Sequence, residues 1–235
     1  MSKNLFSGRA DSIRVLMPYL NVDFVRLYYE INGKGFPALW LPPLLADHLS
    51  MRTFTQPFTE LYTAIILDLL GHGLSDKPKI MKLYSYKNLV DHCYRLIQHL
   101  GINKHDIVGA SWSGRIAILY TLLHQDKVRA LVLIGSSGPK HRVANPPENS
   151  ELSNMERFLV KTIWQTPYNV LDDLKNIHVP TLILIGDQDP RLEAAHLIHS
   201  NIPNSTLIII KGYGHRLENK LCAQKILPWL RSLPK

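Results

Sequence analysis

The chain has 235 residues, 46% of them hydrophobic and 20% charged, which excludes a disordered or fibrous protein and allows a core that needs neither disulfides nor metals. Its formal charge of +8 is scattered. The densest basic set, Lys77, Lys79, Lys82 and Lys87, has no Gly-rich or aromatic reader motif around it, so a solvated face is expected there and no nucleic-acid partner.

The first two extended runs, 13–20 and 24–31, flank Asn21-Val22-Asp23 and read as an antiparallel hairpin. Short apolar runs follow at 38–41, 64–67, 106–110, 130–134, 182–185 and 206–210, with helical patterns between most of them. Continuous apolar strands alternating with helices predict an α/β domain spanning 1–235, with a mostly parallel central sheet and helices on both faces. Leu89, Val90, Cys93, Leu96, Ile97 and Leu100 share one face of a helix that starts near Ser85 and stops at Gly101. A last helix, about 218–230, contains Pro228, which is expected to kink it or end it early. Cys93 and Cys222 lie far apart in helical patterns with no CxxC, so both are expected as small buried hydrophobes.

The alternation breaks between 139 and 178, where no strand is expected. Loop residues 144–150 lead to Ser153-x-x-Glu156, which reads as a capping box, and Thr166-Pro167 reads as the start of a second short helix. This stretch is an insertion expected to act as a short helical lid over the carboxyl ends of the strands. No apolar run reaches the roughly 18 residues of a membrane span. The first 20 residues lack a secretory apolar segment, so a cytoplasmic protein without a membrane span is expected.

The chemistry concentrates at Gly109-Ala110-Ser111-Trp112-Ser113-Gly114, between a strand and a helix. A serine on such a turn projects Oγ above the sheet at a helix N-terminus, where the dipole favours developing negative charge. The plainer alternative makes Ser111 a helix cap beside ordinary turn glycines. A serine hydroxyl needs a base, and His215 follows a strand within Lys211-Gly212-Tyr213-Gly214-His215. The base needs an orienting carboxylate. Asp187 and Asp189 both follow the strand at 182–185, and Asp189 could instead cap a helix opened by Pro190. The candidates fall in the order Ser, Asp, His on three separate loops.

With those residues the chain resembles the α/β-hydrolase superfamily, from about residue 22 to 230. Asp68-Leu69-Leu70-Gly71-His72-Gly73-Leu74-Ser75 resembles a further family string, D-x-x-G-x-G-x-S, which is structural rather than catalytic there. The resemblance implies a Ser111–Asp189–His215 triad, with Asp187 as the fallback acid, and an oxyanion hole from the backbone N–H groups of Trp112 and Leu44. Where the family has His-Gly before the second donor, this chain has Pro42-Pro43. Ser113 stands where the family has glycine, which either loosens close packing or adds a hydroxyl near the site. Family members that open epoxides or displace halide use Asp at the elbow, and Ser111 argues against both. Trp112, Phe158, Trp164 and Tyr168 are candidates for an apolar pocket, and each could equally be a core residue.

The expected activity is hydrolysis of an ester or related acyl bond in a small hydrophobic molecule. Carbon–carbon or enol-lactone hydrolysis by the same residues, and a hydrolase-like binding protein, are the alternatives. No cofactor or metal is called for, since no His/Cys/Asp clustering suits a metal. Because only neutral imidazole is a base, activity should rise with pH across the histidine range. A flat rate profile between about pH 5 and 8 would count against a histidine base.

Overall fold

The computed structural model describes residues 18–141, 143–146 and 149–234. Among them, eight strands form one sheet: β1 (Tyr19–Val22), β2 (Val25–Gly33), β3 (Phe36–Leu41), β4 (Tyr62–Leu67), β5 (His105–Ala110), β6 (Val128–Ile134), and then β9 (Thr181–Gly186) and β10 (Ser205–Ile210). Between β6 and β9 in the chain come β7 (Lys140–His141) and β8 (Tyr168–Asn169), which form a separate two-stranded ribbon. The sheet order is β1-β2-β4-β3-β5-β6-β9-β10. Only β1–β2 and β2–β4 are antiparallel; the rest are parallel.

Alternation along the central strands explains why both faces are covered. Leu39, Leu41, Ile65, Leu67, Ile107, Leu131, Leu133, Ile183 and Ile185 point to one side. There they meet α2 (Tyr86–His99), α3 (Ser113–Leu123) and α5 (Leu192–Asn201). Ala38, Trp40, Ala64, Ile66, Val108, Val132 and Leu184 point to the other, against α1 (His48–Thr55) and α6 (Asn219–Ser232). Each central strand therefore loses water on both faces, which is why its sequence is apolar throughout.

The helix starts follow their local chemistry. Ser85 caps α2 by accepting from Asn88 N–H at 3.3 Å, and Gly101 (φ 67°) follows its end. The capping box is present at α4 (Asn154–Gln165). Ser153 Oγ accepts Glu156 N–H at 3.3 Å and Glu156 returns the bond to Ser153 N–H at 2.8 Å. Cys93 and Cys222 are free and buried, in α2 and α6.

Several expectations need correction. The hairpin turn is Asp23-Phe24, with Val22 paired to Val25, because Asp23 tolerates the left-handed conformation (φ 50°) such a tight turn needs. Residues 13–17 of the expected first strand lie outside the described residues. Residues 139–178 do contain strand: β7 and β8 pair antiparallel and close the base of the insertion. Thr166-Pro167 starts no helix. Thr166 ends α4, Tyr168 enters β8, and a 3₁₀ turn follows at Leu171–Asn176. Pro167 cannot donate a backbone bond, and the residue before it is held extended (Thr166 ψ 116°). Pro228 does not end α6, which runs on to Ser232. Pro228 and Gln224 are both exposed, so the carbonyl that loses its partner faces water. No described helix is long and apolar enough to cross a membrane.

At the amino ends of the strands, His105 is fully buried and neither ring nitrogen has a partner among the described residues. Its ring meets Tyr120 edge-on at 5.5 Å, and the Tyr120 hydroxyl is likewise unpartnered. Burial, reinforced by Lys104 and His124, pulls His105 down to about 3. Its folded value thus lies below the unfolded one, and the unfolded chain binds the extra proton. This stability contribution is complete above about pH 6.5 and is lost as pH falls towards 3. From pH 7.5 to 5.0 the loss should be about 2 kcal/mol. Urea unfolding at both pH values checks this, and His105→Phe should shrink the difference by about that amount.

Candidate active site

β3 leads outward to β4, whereas the later strands build from β5 in the opposite direction. The chain order reverses between β3 and β5, and in open parallel sheets ligands bind beyond the carboxyl ends of the strands at such a point. Leu41 and Ala110 end those two strands. Ser111 follows immediately with φ 56°, a left-handed conformation that costs a non-glycine residue of order 1–3 kcal/mol. Ser111 N–H donates to Ile134 O at 2.9 Å, and Ser111 O accepts from Ser137 N–H (2.9 Å) and Gly114 N–H (3.2 Å). The Ser111 hydroxyl accepts no backbone N–H at the start of α3 among the described residues and faces His215 Nε2 instead, so it does not serve as a helix cap.

Close strand–helix packing enforces this turn. A Cβ at Gly109 would lie 2.8 Å from both Ala117 Cβ and Gly114 Cα. The buried Ser113 points its hydroxyl across to Leu41 O, 2.8 Å away.

The loops after β9 and β10 converge on Ser111. Gln188 N–H donates to Tyr213 O (2.9 Å) and Gly212 N–H donates to Asp187 Oδ1 (2.8 Å), which ties the two loops together. His215 Nε2 lies 3.1 Å from Ser111 Oγ, and its Nδ1 lies 2.7 Å from Asp189 Oδ2. The Asp189 carboxylate has no exposure, while the His215 side chain is 35% exposed. Asp189 Oδ1 also accepts Arg191 N–H at 2.9 Å. The helix there begins only at Leu192, flanked by Arg191. Asp189 therefore holds a turn and an imidazole at once. Asp187 is spent on the loop tie.

Sequence reasoning missed two residues. Arg191 Nη1 sits 2.9 Å from His215 Nδ1 and 3.7 Å from Asp189 Oδ1. Nδ1 cannot donate to Asp189 and accept from Arg191 together. The buried, shorter carboxylate contact takes the ring proton, leaving the guanidinium as a cation against the pair. The second is Gly135 (φ 50°), which ends β6. A Cβ there would lie 3.2 Å from the His215 ring and 3.3 Å from Asp189 Oδ2. A cation two residues after the acid and a glycine closing a strand were the available signals.

Around Ser111, His215 and Asp189, Trp112 is buried, stacks on His72 at 5.6 Å and donates its indole N–H to Tyr86 Oη at 3.1 Å. Tyr168, also buried, packs on Tyr86 at 4.5 Å, and its hydroxyl donates to Arg115 O. Phe158 meets Tyr84 edge-on at 5.8 Å. Trp164 packs on His141 at 6.1 Å, on the short ribbon. Trp112 and Tyr168 thus share one aromatic group through Tyr86, and the ring partners of Phe158 and Trp164 are other residues. Pro43 O accepts Ala46 N–H at 3.1 Å, closing a turn over Leu44 and Leu45 (φ 63°). Among the described residues, neither Leu44 N–H nor Trp112 N–H donates to a protein acceptor. A cleft of about 490 Å³ lies at the other end of the sheet, between Lys104, Arg129 and Pro180, and touches none of these residues.

The family string is structural in this chain. Buried Asp68 accepts His48 N–H and Leu74 N–H and contacts His48 Nδ1 at 2.7 Å, pinning the start of α1.

Residues 34–172 match the alpha/beta hydrolase fold family model, and the chain belongs to that family. It is 30% identical over 222 residues to a 2-hydroxymuconate semialdehyde hydrolase of Pseudomonas putida, covering 82% of this chain and 76% of that protein. Among solved structures it resembles the esterase RhEst1 from Rhodococcus sp. ECU1013 (TM-score 0.80, 18% identity, 92% of this chain and 98% of that one). It also resembles the esterase EaEST from Exiguobacterium antarcticum (TM-score 0.78, 23% identity, 90% and 97%). These two likenesses concern the fold.

The contacts at Gly135 make it a sensitive position. Gly135→Ala should lower turnover by about ten- to a hundredfold by displacing the imidazole, with far-UV circular dichroism unchanged. Steady-state kinetics on any accepted substrate checks this.

Proposed function

We propose that this chain is a serine hydrolase acting on an ester or related acyl bond of a small hydrophobic molecule. One observation carries the reading: an unbroken relay from Ser111 Oγ to His215 (3.1 Å) to Asp189 (2.7 Å), built on a serine held at positive φ. Ser111 Oγ attacks the carbonyl carbon while His215 Nε2 takes its proton. Asp189 fixes the tautomer with hydrogen on Nδ1 and stabilises the imidazolium as it forms. The N–H groups of Trp112 and Leu44 receive the oxyanion, at the start of α3 and on the turn after β3. Imidazolium then protonates the leaving group, and water, deprotonated by His215, releases the acyl group. Residues 139–178 act as the lid, with Trp112 and Tyr168 on the apolar side of the substrate and Phe158 and Trp164 further out.

A second reading has a specific observation behind it, the similarity to a 2-hydroxymuconate semialdehyde hydrolase over most of both chains. The same residues could then cleave a carbon–carbon bond next to a carbonyl.

A fluorophosphonate probe should label the protein, and Ser111→Ala should abolish labelling and lower hydrolysis about a thousandfold or more. A folded wild type that resists the probe would sink the enzyme reading in favour of a binding protein. Comparing kcat/KM for p-nitrophenyl esters of increasing chain length with that for 2-hydroxymuconate semialdehyde separates the two chemistries. Ester preference is the expected result.

A further inference from the structure

We infer that Ser113 is a positioning residue that sets the gap between the nucleophile turn and the oxyanion loop. The inference rests on the serine-hydrolase reading above. Ser113 is fully buried. Its Oγ accepts Ala110 N–H at 3.0 Å and donates towards Leu41 O at 2.8 Å, with Ala110 O at 3.0 Å as a weaker local alternative. Leu41 pairs with Gly109 as the last register step between β3 and β5. Beyond that step Ser113 Oγ stands between Ala110 N–H of one strand and Leu41 C=O of the other. The hydroxyl continues the pairing through one inserted atom.

The insertion has a geometric consequence. A single hydroxyl bridge holds the two strand ends further apart than a direct N–H to O=C bond would, at the switch point where a substrate must enter. The bridged segments are also the two that carry the proposed oxyanion donors. Ala110 precedes Ser111 and Trp112, and Leu41 precedes Pro42, Pro43 and Leu44. Pro42 and Pro43 have no N–H, so they cannot tie this loop down by donating, and their fixed φ transmits the position of Leu41 to Leu44. The far end of the same loop is held by Asp68, through the N–H and ring of His48. Ser113 and Asp68 thus clamp the loop at its two ends. The Leu44 and Trp112 amides are consequently held at a fixed spacing, as transition-state stabilisation by preorganised donors requires.

Ser113 touches no reacting atom, so its loss should affect turnover more than binding. In Ser113→Ala and Ser113→Gly, kcat for a p-nitrophenyl ester should fall about tenfold with KM within about twofold. Inhibition by phenylboronic acid, whose adduct on Ser111 places an oxygen in the oxyanion position, should weaken by a similar factor. Competitive inhibition by benzyl alcohol, a neutral apolar molecule that places no anionic oxygen at the hole, should stay unchanged. The two variants guard against a packing artefact, because alanine nearly preserves volume and glycine removes the side chain. If either variant keeps wild-type kcat and boronate affinity, the inference fails while the hydrolase reading stands. Equal losses in boronate and benzyl alcohol binding would also overturn it, since they would indicate general disruption. A wild type blind to both the boronate and a fluorophosphonate overturns the hydrolase reading itself, and the role of Ser113 with it.

Discussion

The close approach of β5 to α3 governs the rest of the site. Gly109 lets the helix come so near that the chain must turn within one residue, and Ser111 absorbs the turn in a left-handed conformation. That strain persists because the surroundings over-determine it. Ser111 N–H is bound to the end of β6, and its carbonyl takes two N–H donors. The same turn lifts the hydroxyl off the sheet and sets the first amide of the helix beside it. Looser packing would relieve the strain and lose the geometry.

The remaining parts of the site are placed by polar contacts between loops. The loops after β9 and β10 are joined through Asp187, Gly212, Gln188 and Tyr213, which holds the segments bearing His215 and Asp189 side by side. The loop after β3 is anchored at Asp68. Further out, Glu30 accepts a bidentate pair from Arg52 and the Tyr28 hydroxyl. Burial would raise the Glu30 carboxyl, but these bonds outweigh it and hold the group below the usual range. Arg115 links α3 to the base of the insertion through Gly138 O and to the start of α2 through the Tyr86 hydroxyl.

Arg191 complicates the electrostatics. In a Ser–His–acid relay the imidazole becomes positive as the serine attacks, and a guanidinium against the same carboxylate opposes that charge. The contact lies at a half-exposed rim, so solvent screens part of it. Asp189 meets the imidazole and the Arg191 backbone from a fully buried position, with Oδ2 facing Nδ1 and Oδ1 accepting the N–H. This division keeps the two interactions from competing for one lone pair.

The sequence by itself determined the alternation of strands and helices, both faces of the sheet, the caps of α2 and α4, and the three loops bearing Ser111, Asp189 and His215. These follow from local periodicity, from backbone donors at helix starts, and from glycines where the chain must turn, all readable within a few residues. Tertiary structure alone decided the rest. It closed residues 139–178 with a ribbon, because pairing of Lys140–His141 with Tyr168–Asn169 leaves no signature in strands so short. It carried α6 through Pro228, because the orphaned carbonyl happens to face water. It set Asp189 beside His215 and Asp187 beside Gly212, and it brought Gly135, Arg191 and the Ser113–Leu41 contact to the same end of the sheet. Each of these depends on which groups meet across tens of residues of chain, and hydrogen bonds and close contacts at that range are set by packing rather than by neighbouring sequence.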